Sequence, residues 1–455
     1  MNYRKEAQAK QAALIQDLQG WIRCGGVYDK DSVAKDAPFG KNVKKALDYI
    51  YELAKKDGFE VKNHDGYCVE ITYGNQEETV MVLAHADVVP EGEGWDYPPY
   101  GAEIHDGLLI GRGSSDDKGP GMTAYYALKV LRDKKVPLNR KIKIVFGGNE
   151  ESGSRCLHHY FVEEGNPAPT YGFTPDAEFP LIYGEKGILT YVYEGEYEDN
   201  LIESFSSGTV PNAVPAECVM VLKKEVHLQK EFEEWMGKRH FNGEYEEKDG
   251  KTILKFHGKA SHGAFPEGGI NAFTMLLRFV DRYTDSAFAH QFGYAFSCYY
   301  GSKIGINHYS EPMGNLTMNV GVAKYDGHKY VILINIRYPN DLTGEGIGKI
   351  LDQKIMHQGR IASDSKPLYV DPNSAFIKTL MQIYKEESGK MDAEPITIGG
   401  GTYARETSNV VAYGMDFLRN NGTGRIHDVN EALNLQDLED GLVIYIRALE
   451  ALCNL

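Results

Sequence analysis

Apolar residues recur at helical spacing over residues 6–23 and 41–57, where Val43, Leu47, Ile50 and Ala54 fall on one face, and this predicts two helices. The pattern then shortens. Thr79-Val80-Met81-Val82-Leu83-Ala84 is a continuous apolar run that reads as a buried strand, residues 122–131 as a helix packed on it, and Ile142-Lys143-Ile144-Val145-Phe146 as the next strand. A β-α-β order of this kind implies an α/β sheet with helices on its faces. From about residue 187 to 370 the character changes to alternating runs, Thr190–Glu194 and Lys329–Ile336, interleaved with helical segments over 228–238 and 271–283. These predict an α+β insertion with half-exposed antiparallel strands. A last helix over about 436–452 returns to the first layer.

The expected organisation is therefore two domains. An α/β catalytic domain with a central β-sheet flanked by helices comprises residues 1–186 and 371–455, and an α+β lid domain of residues 187–370, with room for two subdomains, interrupts it. A chain of 455 residues is too long for one ordinary core, and 42% hydrophobic with 25% charged residues makes it globular instead of disordered. Its formal charge of −16 disfavours nucleic acid and anionic membrane surfaces as partners. Six cysteines without a Cys-x-x-Cys pair argue against a disulfide framework or a thiolate zinc site and suit a reducing, cytoplasmic setting. The charged opening carries no apolar signal core, and no apolar run approaches a membrane span.

Three loops follow the predicted strands with chemistry in them. His85-Ala86-Asp87 ends the first run, and Asp87 stands where it could accept the second ring N–H of His85, a common arrangement behind a metal-bound imidazole. Gly111-Arg112-Gly113-Ser114-Ser115-Asp116-Asp117-Lys118-Gly119 is by itself best read as a turn. Glu150-Glu151 are adjacent acids at a strand end, so either water or a cation must neutralise them. His105, His158, His159 and His227 have no comparable neighbours and read as ordinary histidines. In an open α/β sheet, ligands sit outside the carboxyl ends of strands, where His85 and Glu150-Glu151 both belong.

Together with Pro175-Asp176 and His427-x-x-Asn430-Glu431, these motifs resemble, in order, the signatures of the aminoacylase/carboxypeptidase family of dinuclear metallopeptidases, and within it the bacterial dipeptidases. The resemblance implies that His85 and Asp176 hold one divalent ion, Glu151 and His427 a second, and that Asp116 bridges them. Zinc is the first expectation, with manganese or cobalt accepted by the same donors. It implies further that Glu150 is the general base, that Asp87 orients His85, and that the bond between Asp116 and Asp117 is cis. As isolated residues Asp176 and His427 would pass for background.

The insertion resembles the family's lid. Gly258–Pro266 implies that His262 stabilises the tetrahedral oxyanion, while Asn212 and Arg337 bind substrate, Arg337 through its terminal carboxylate. Gly400, Gly401 and Thr402 resemble a loop that closes over the same carboxylate. The implied reaction is hydrolysis of a dipeptide; an N-acyl amino acid deacylase or an aminopeptidase is the alternative on the same scaffold, and a non-catalytic metal-dependent binding protein ranks below both. The length of the insertion implies that the lid groups act within one chain, making a monomer the expectation and a dimer the alternative.

Overall fold

The computed structural model describes residues 1–355, 357–419 and 424–455, and the chain divides into two compact units. The first comprises Met1–Tyr183, Val370–Ile396 and Gly401–Leu455, the second Gly184–Tyr369 with Thr397–Gly400. The glycine-rich loop at 399–401 is thus divided between Gly400 and Gly401.

In the first unit the sheet runs in the order Glu60–His64, Cys68–Tyr73, Lys141–Gly147, Thr79–His85, Tyr171–Thr174, Val410–Ala412. The last four strands are mutually parallel, and the first two form an antiparallel hairpin at one edge. Parallel strands are covered on both faces, which is why Val80–His85 is buried without interruption. Helices Lys118–Asp133 and Leu435–Asn454 pack on each other and on the Thr79–His85 strand, and Lys41–Lys56 packs on the hairpin. Helix Lys118–Asp133 can start so close to the loop before it because Gly119 has no side chain: a Cβ there would lie 2.1 Å from the Ser114 carbonyl oxygen.

The register decides where the chemistry goes. His85 pairs with Gly147 in the parallel ladder, so His85 and the Glu150-Glu151 loop leave the sheet at the same edge. Tyr171–Thr174, also parallel to Thr79–His85, delivers Asp176 there two residues after its end.

The second unit is built on one eight-stranded antiparallel sheet, in the order Asn242–Lys248, Lys251–His257, Glu217–Leu222, Ile202–Ser207, Thr317–Tyr325, Lys329–Tyr338, Gly187–Glu196, Gly359–Ser365. Helices Ala272–Tyr283 and Ala287–Ala295 pack together, and Leu276, Phe279, Phe288 and Phe292 join the buried faces of the strands in one apolar core. Lys251–His257 alternates buried and half-buried positions, as expected of a sheet with one wet face. Among the described residues, no helix is long and apolar enough to cross a membrane.

Candidate active site

His85 is fully buried, and its Nε2 lies 2.9 Å from Oδ1 of Asp116 and 3.6 Å from Oδ2 of Asp176. On the other side of Asp116, Oδ2 lies 2.8 Å from Nε2 of His427, which is also 3.2 Å from Oε1 of Glu151. One carboxylate therefore offers an oxygen to each of two imidazoles. The donor atoms fall into two groups that share Asp116, one with His85 and Asp176, the other with Glu151 and His427.

The peptide bond between Asp116 and Asp117 is cis. Asp117 accepts the backbone N–H of His85 on its Oδ2 at 3.0 Å. Both aspartates stand at the N-terminus of helix Lys118–Asp133, whose dipole favours negative charge.

The loop of Asp116 is held from the far end of the chain. Glu431, fully buried, accepts the backbone N–H groups of Gly113, Ser115 and Asp116 on Oε1 at 3.1, 2.9 and 3.2 Å, and its Oε2 takes Nη1 of Arg112 at 2.7 Å. Glu431 carries no expected task, although it stands four residues after His427 in the same motif.

Asp87 meets His85 through main chain and side chain, and it has a second task besides. The ring N–H of His85 is directed at the backbone carbonyl of Asp87, with Nδ1 at 2.9 Å, while the Asp87 carboxylate is 3.5 Å away. That carboxylate also accepts the backbone N–H of Glu150 on Oδ1 at 3.0 Å and of Glu151 on Oδ2 at 3.1 Å. It thereby fixes the loop that carries both acids while lying beside the ring of His85.

The electrostatics describe a site short of positive charge. Burial raises the carboxyls of Asp117, Glu150, Glu151 and Asp176 above their ordinary range; the charge of Asp176 adds to the rise for Asp117 and Glu150, and that of Asp116 for Glu151 and Asp176. Burial acts on Asp116 in the same direction, but hydrogen bonds from His427 and His85 hold it well down. The imidazoles answer in kind. Burial opposes charge on His85, yet Asp116 and Asp176 carry its pKa well above the usual value, and Asp116 and Glu151 push His427 to about 10. Imidazole with clustered carboxylates is the donor set of hydrolytic divalent ions. These residues fit such ions.

In the second unit, His262 pairs with Ala213 across a short ladder, and the N–H of Gly263 donates to the Asn212 carbonyl at 2.7 Å. The N–H of Ala264 donates to Nδ1 of His262 at 3.2 Å, so the neutral ring carries its proton on Nε2, as a donor. Burial and the nearby charge of Arg337 lower its pKa, keeping it neutral. Arg337 is buried and donates through Nη1 to the Gly399 carbonyl and through Nε to Oδ1 of Asn335, both at 2.9 Å. Thr402 accepts the N–H of Ala404 on its hydroxyl at 3.1 Å, in the first unit.

Residues 81–451 match the model of the peptidase family M20/M25/M40. The chain belongs to that family. It is a peptide hydrolase. A protein of Staphylococcus epidermidis named "Putative dipeptidase" is 37% identical over 459 residues, covering 97% of each chain, and one of Staphylococcus haemolyticus with the same description is 35% identical, covering 99% of each. Among solved structures, the di-peptidase Dug1p of Saccharomyces cerevisiae shares the fold with a TM-score of 0.60 at 15% identity, over 100% of this chain and 98% of that one. Human carnosine dipeptidase 1 does so at 0.58 and 14%, with the same coverage. The fold of the M20 peptidases thus runs through the whole chain.

Proposed function

We propose that this peptidase hydrolyses dipeptides with two divalent cations, zinc first, one held by His85 and Asp176, the other by Glu151 and His427, with Asp116 between them. The observation that carries the reading is the pair of oxygens on Asp116, each directed at a different imidazole. The dipeptidase descriptions of the staphylococcal relatives support the substrate class. When bound, such ions lower the pKa of a water from 15.7 to about 7 and polarise a carbonyl.

The protein's own groups divide the remaining work. Glu150, whose carboxyl burial raises, takes the proton from the attacking water and returns it to the leaving amine. Asp87 keeps Glu150 and Glu151 in register through their backbone N–H groups. His262 donates from Nε2 to the oxyanion, and Asn212, Arg337 and the Gly400, Gly401 and Thr402 segment bind the substrate. A guanidinium matches a carboxylate with two parallel hydrogen bonds, which suits Arg337 to the C-terminal end of a dipeptide.

The test is to strip metal with a chelator, restore zinc, manganese or cobalt separately, and assay dipeptides, tripeptides and N-acetyl amino acids. Dipeptides should be cleaved and the others left intact. Activity confined to the acylated compounds would make the enzyme a deacylase, and preference for tripeptides an aminopeptidase.

A further inference from the structure

Away from the active site, the edge hairpin of the first unit turns at Asp65-Gly66, with φ of 52° and 78°, between Glu60–His64 and Cys68–Tyr73. Two left-handed residues in succession are the signature of the tight turn that suits strand twist. The segment His159–Glu163, which follows the Glu150-Glu151 loop and the short helix Arg155–His158, lies against this turn. His159 stacks on Tyr67, with ring centroids 4.0 Å apart and planes at 14°.

His159 is oriented as metal-bound imidazoles are. Its Nδ1 is 2.7 Å from Oε2 of Glu163, so the ring proton sits there and the lone pair is left on Nε2. Nε2 is buried and has no hydrogen-bond partner, and the side chain as a whole is only 12% exposed. It faces Oδ2 of Asp65 at 3.5 Å and Oε1 of Glu164 at 3.4 Å. These separations exceed the roughly 3.2 Å limit of a normal N–H···O bond. They match the distance of about 3.3 to 3.5 Å between neighbouring donors around a tetrahedral ion with bonds near 2.0 to 2.1 Å.

Glu164 is prepared in the same sense. Its Oε2 is occupied by Nδ1 of His64 at 2.6 Å and Nδ2 of Asn166 at 3.1 Å, with Lys62 at 3.4 Å. Oε1 is the oxygen turned toward His159. One donor atom from each of Asp65, His159 and Glu164 lies within 4.8 Å of the others.

We propose that Asp65, His159 and Glu164 form a third divalent-cation site, separate from the dinuclear pair, that takes a zinc-class ion completed by water. An imidazole among carboxylates selects transition ions over magnesium or calcium. The ion ties the turn of the edge hairpin to the segment that continues from the Glu150-Glu151 loop. The site stands whether or not the dipeptidase reading does, since it shares no residue with the dinuclear centre.

The test is equilibrium dialysis of the metal-stripped full chain against buffered zinc, with metal counted per chain for the parent, His159→Ala and Asp65→Asn. Each variant should bind one ion fewer than the parent, whatever the parent's total. Asp65→Asn, at a 78% exposed turn side chain, guards against a folding defect in the other variant. Zinc-edge anomalous scattering from crystals should give a peak contacting Nε2 of His159. Equal counts in all three proteins, with no peak there, would leave His159 as a neighbour of two carboxylates and overturn the proposal.

Discussion

The carboxylate of Asp87 accepts the backbone N–H of Glu150 at 3.0 Å, and so holds the proposed base by its main chain while leaving its side chain to the reaction. Asp87→Asn keeps the shape but replaces one accepting oxygen with a donor that opposes the N–H of Glu150 or Glu151. Removing a group of this kind behind a metal ligand costs about 10- to 100-fold in metal affinity or activity. Titration with zinc and steady-state kinetics on a dipeptide check this. Unchanged kcat and affinity would mean that the loop holds itself.

Glu150 and Glu151 are neighbours with different surroundings, and their variants should separate. Glu151 meets His427 at 3.2 Å, whereas Glu150 is outside both donor groups. Glu150→Gln should lose roughly 10²-fold or more in kcat and retain its metal, the usual scale for a general acid–base group. Glu151→Gln should lose an ion. Metal analysis of the two variants decides it, and equal metal loss in both would remove the division of labour.

His427 supplies a pH dependence with a definite sign. Its pKa rises from 6.5 to about 10 in the metal-free chain, chiefly through Asp116 and Glu151. A raised histidine pKa stabilises the fold fully below the unfolded value, so this contribution is present below pH 6.5 and is lost as pH rises toward 10. A cation needs the neutral ring, and protons compete with it over that same window. Zinc affinity should therefore rise with pH from 6.5 toward 10, and binding at pH 7.5 should release protons. Calorimetry in two buffers of different ionisation enthalpy measures the release; identical heats in both would refute it.

Much of this site was legible because sequence and geometry use the same punctuation: apolar runs such as Val80–Ala84 end at His85 and Phe146 leads into Glu150, so strand ends mark the loops that matter. Asp176 and His427 carry no such local signal. They reach the site through strand order and chain return, and only a resemblance between whole motifs brings them in. Asp87 stands beside the His85 imidazole, as its spacing implies, but the spacing does not show how its carbonyl at 2.9 Å and its carboxylate at 3.5 Å share the ring. Helix Gly344–Lys354 escaped for a different reason. Three glycines in its first five residues weaken its intrinsic preference, and the packing of Ile347 and Leu351 into the core restores it. His159 looked ordinary because its partners Asp65 and Glu164 meet it only after the hairpin folds.

Glu431 ties the loop of Asp116 to the C-terminal segment with four hydrogen bonds in a fully buried position. Glu431→Ala strands the buried guanidinium of Arg112 and three backbone donors, and breaking a buried pair from one side costs about 3 to 5 kcal/mol. A lower Tm and weakened metal binding are expected together. Denaturant unfolding compares the variant with Arg112→Met/Glu431→Leu, in which neither charge is left alone and part of the stability should return. No recovery in the double variant would shift the weight to the backbone donors.

The oxyanion role proposed for His262 separates a self-sufficient chain from one that borrows across an interface. Its neutral ring, with the Ala264 N–H on Nδ1, leaves Nε2–H as the donor. His262→Ala should lower kcat by roughly 10²- to 10³-fold without changing metal content, the cost of losing one oxyanion donor. Mixing His262→Ala with Glu150→Gln then asks where the donor comes from. If each chain uses its own His262, every chain in the mixture carries one defect and activity stays at the sum of the two variants. In a symmetric dimer that exchanges subunits and shares His262 across the interface, mixed dimers hold one intact site, and about a quarter of the parent activity should return. The first outcome is expected, and recovery of activity would favour the dimer.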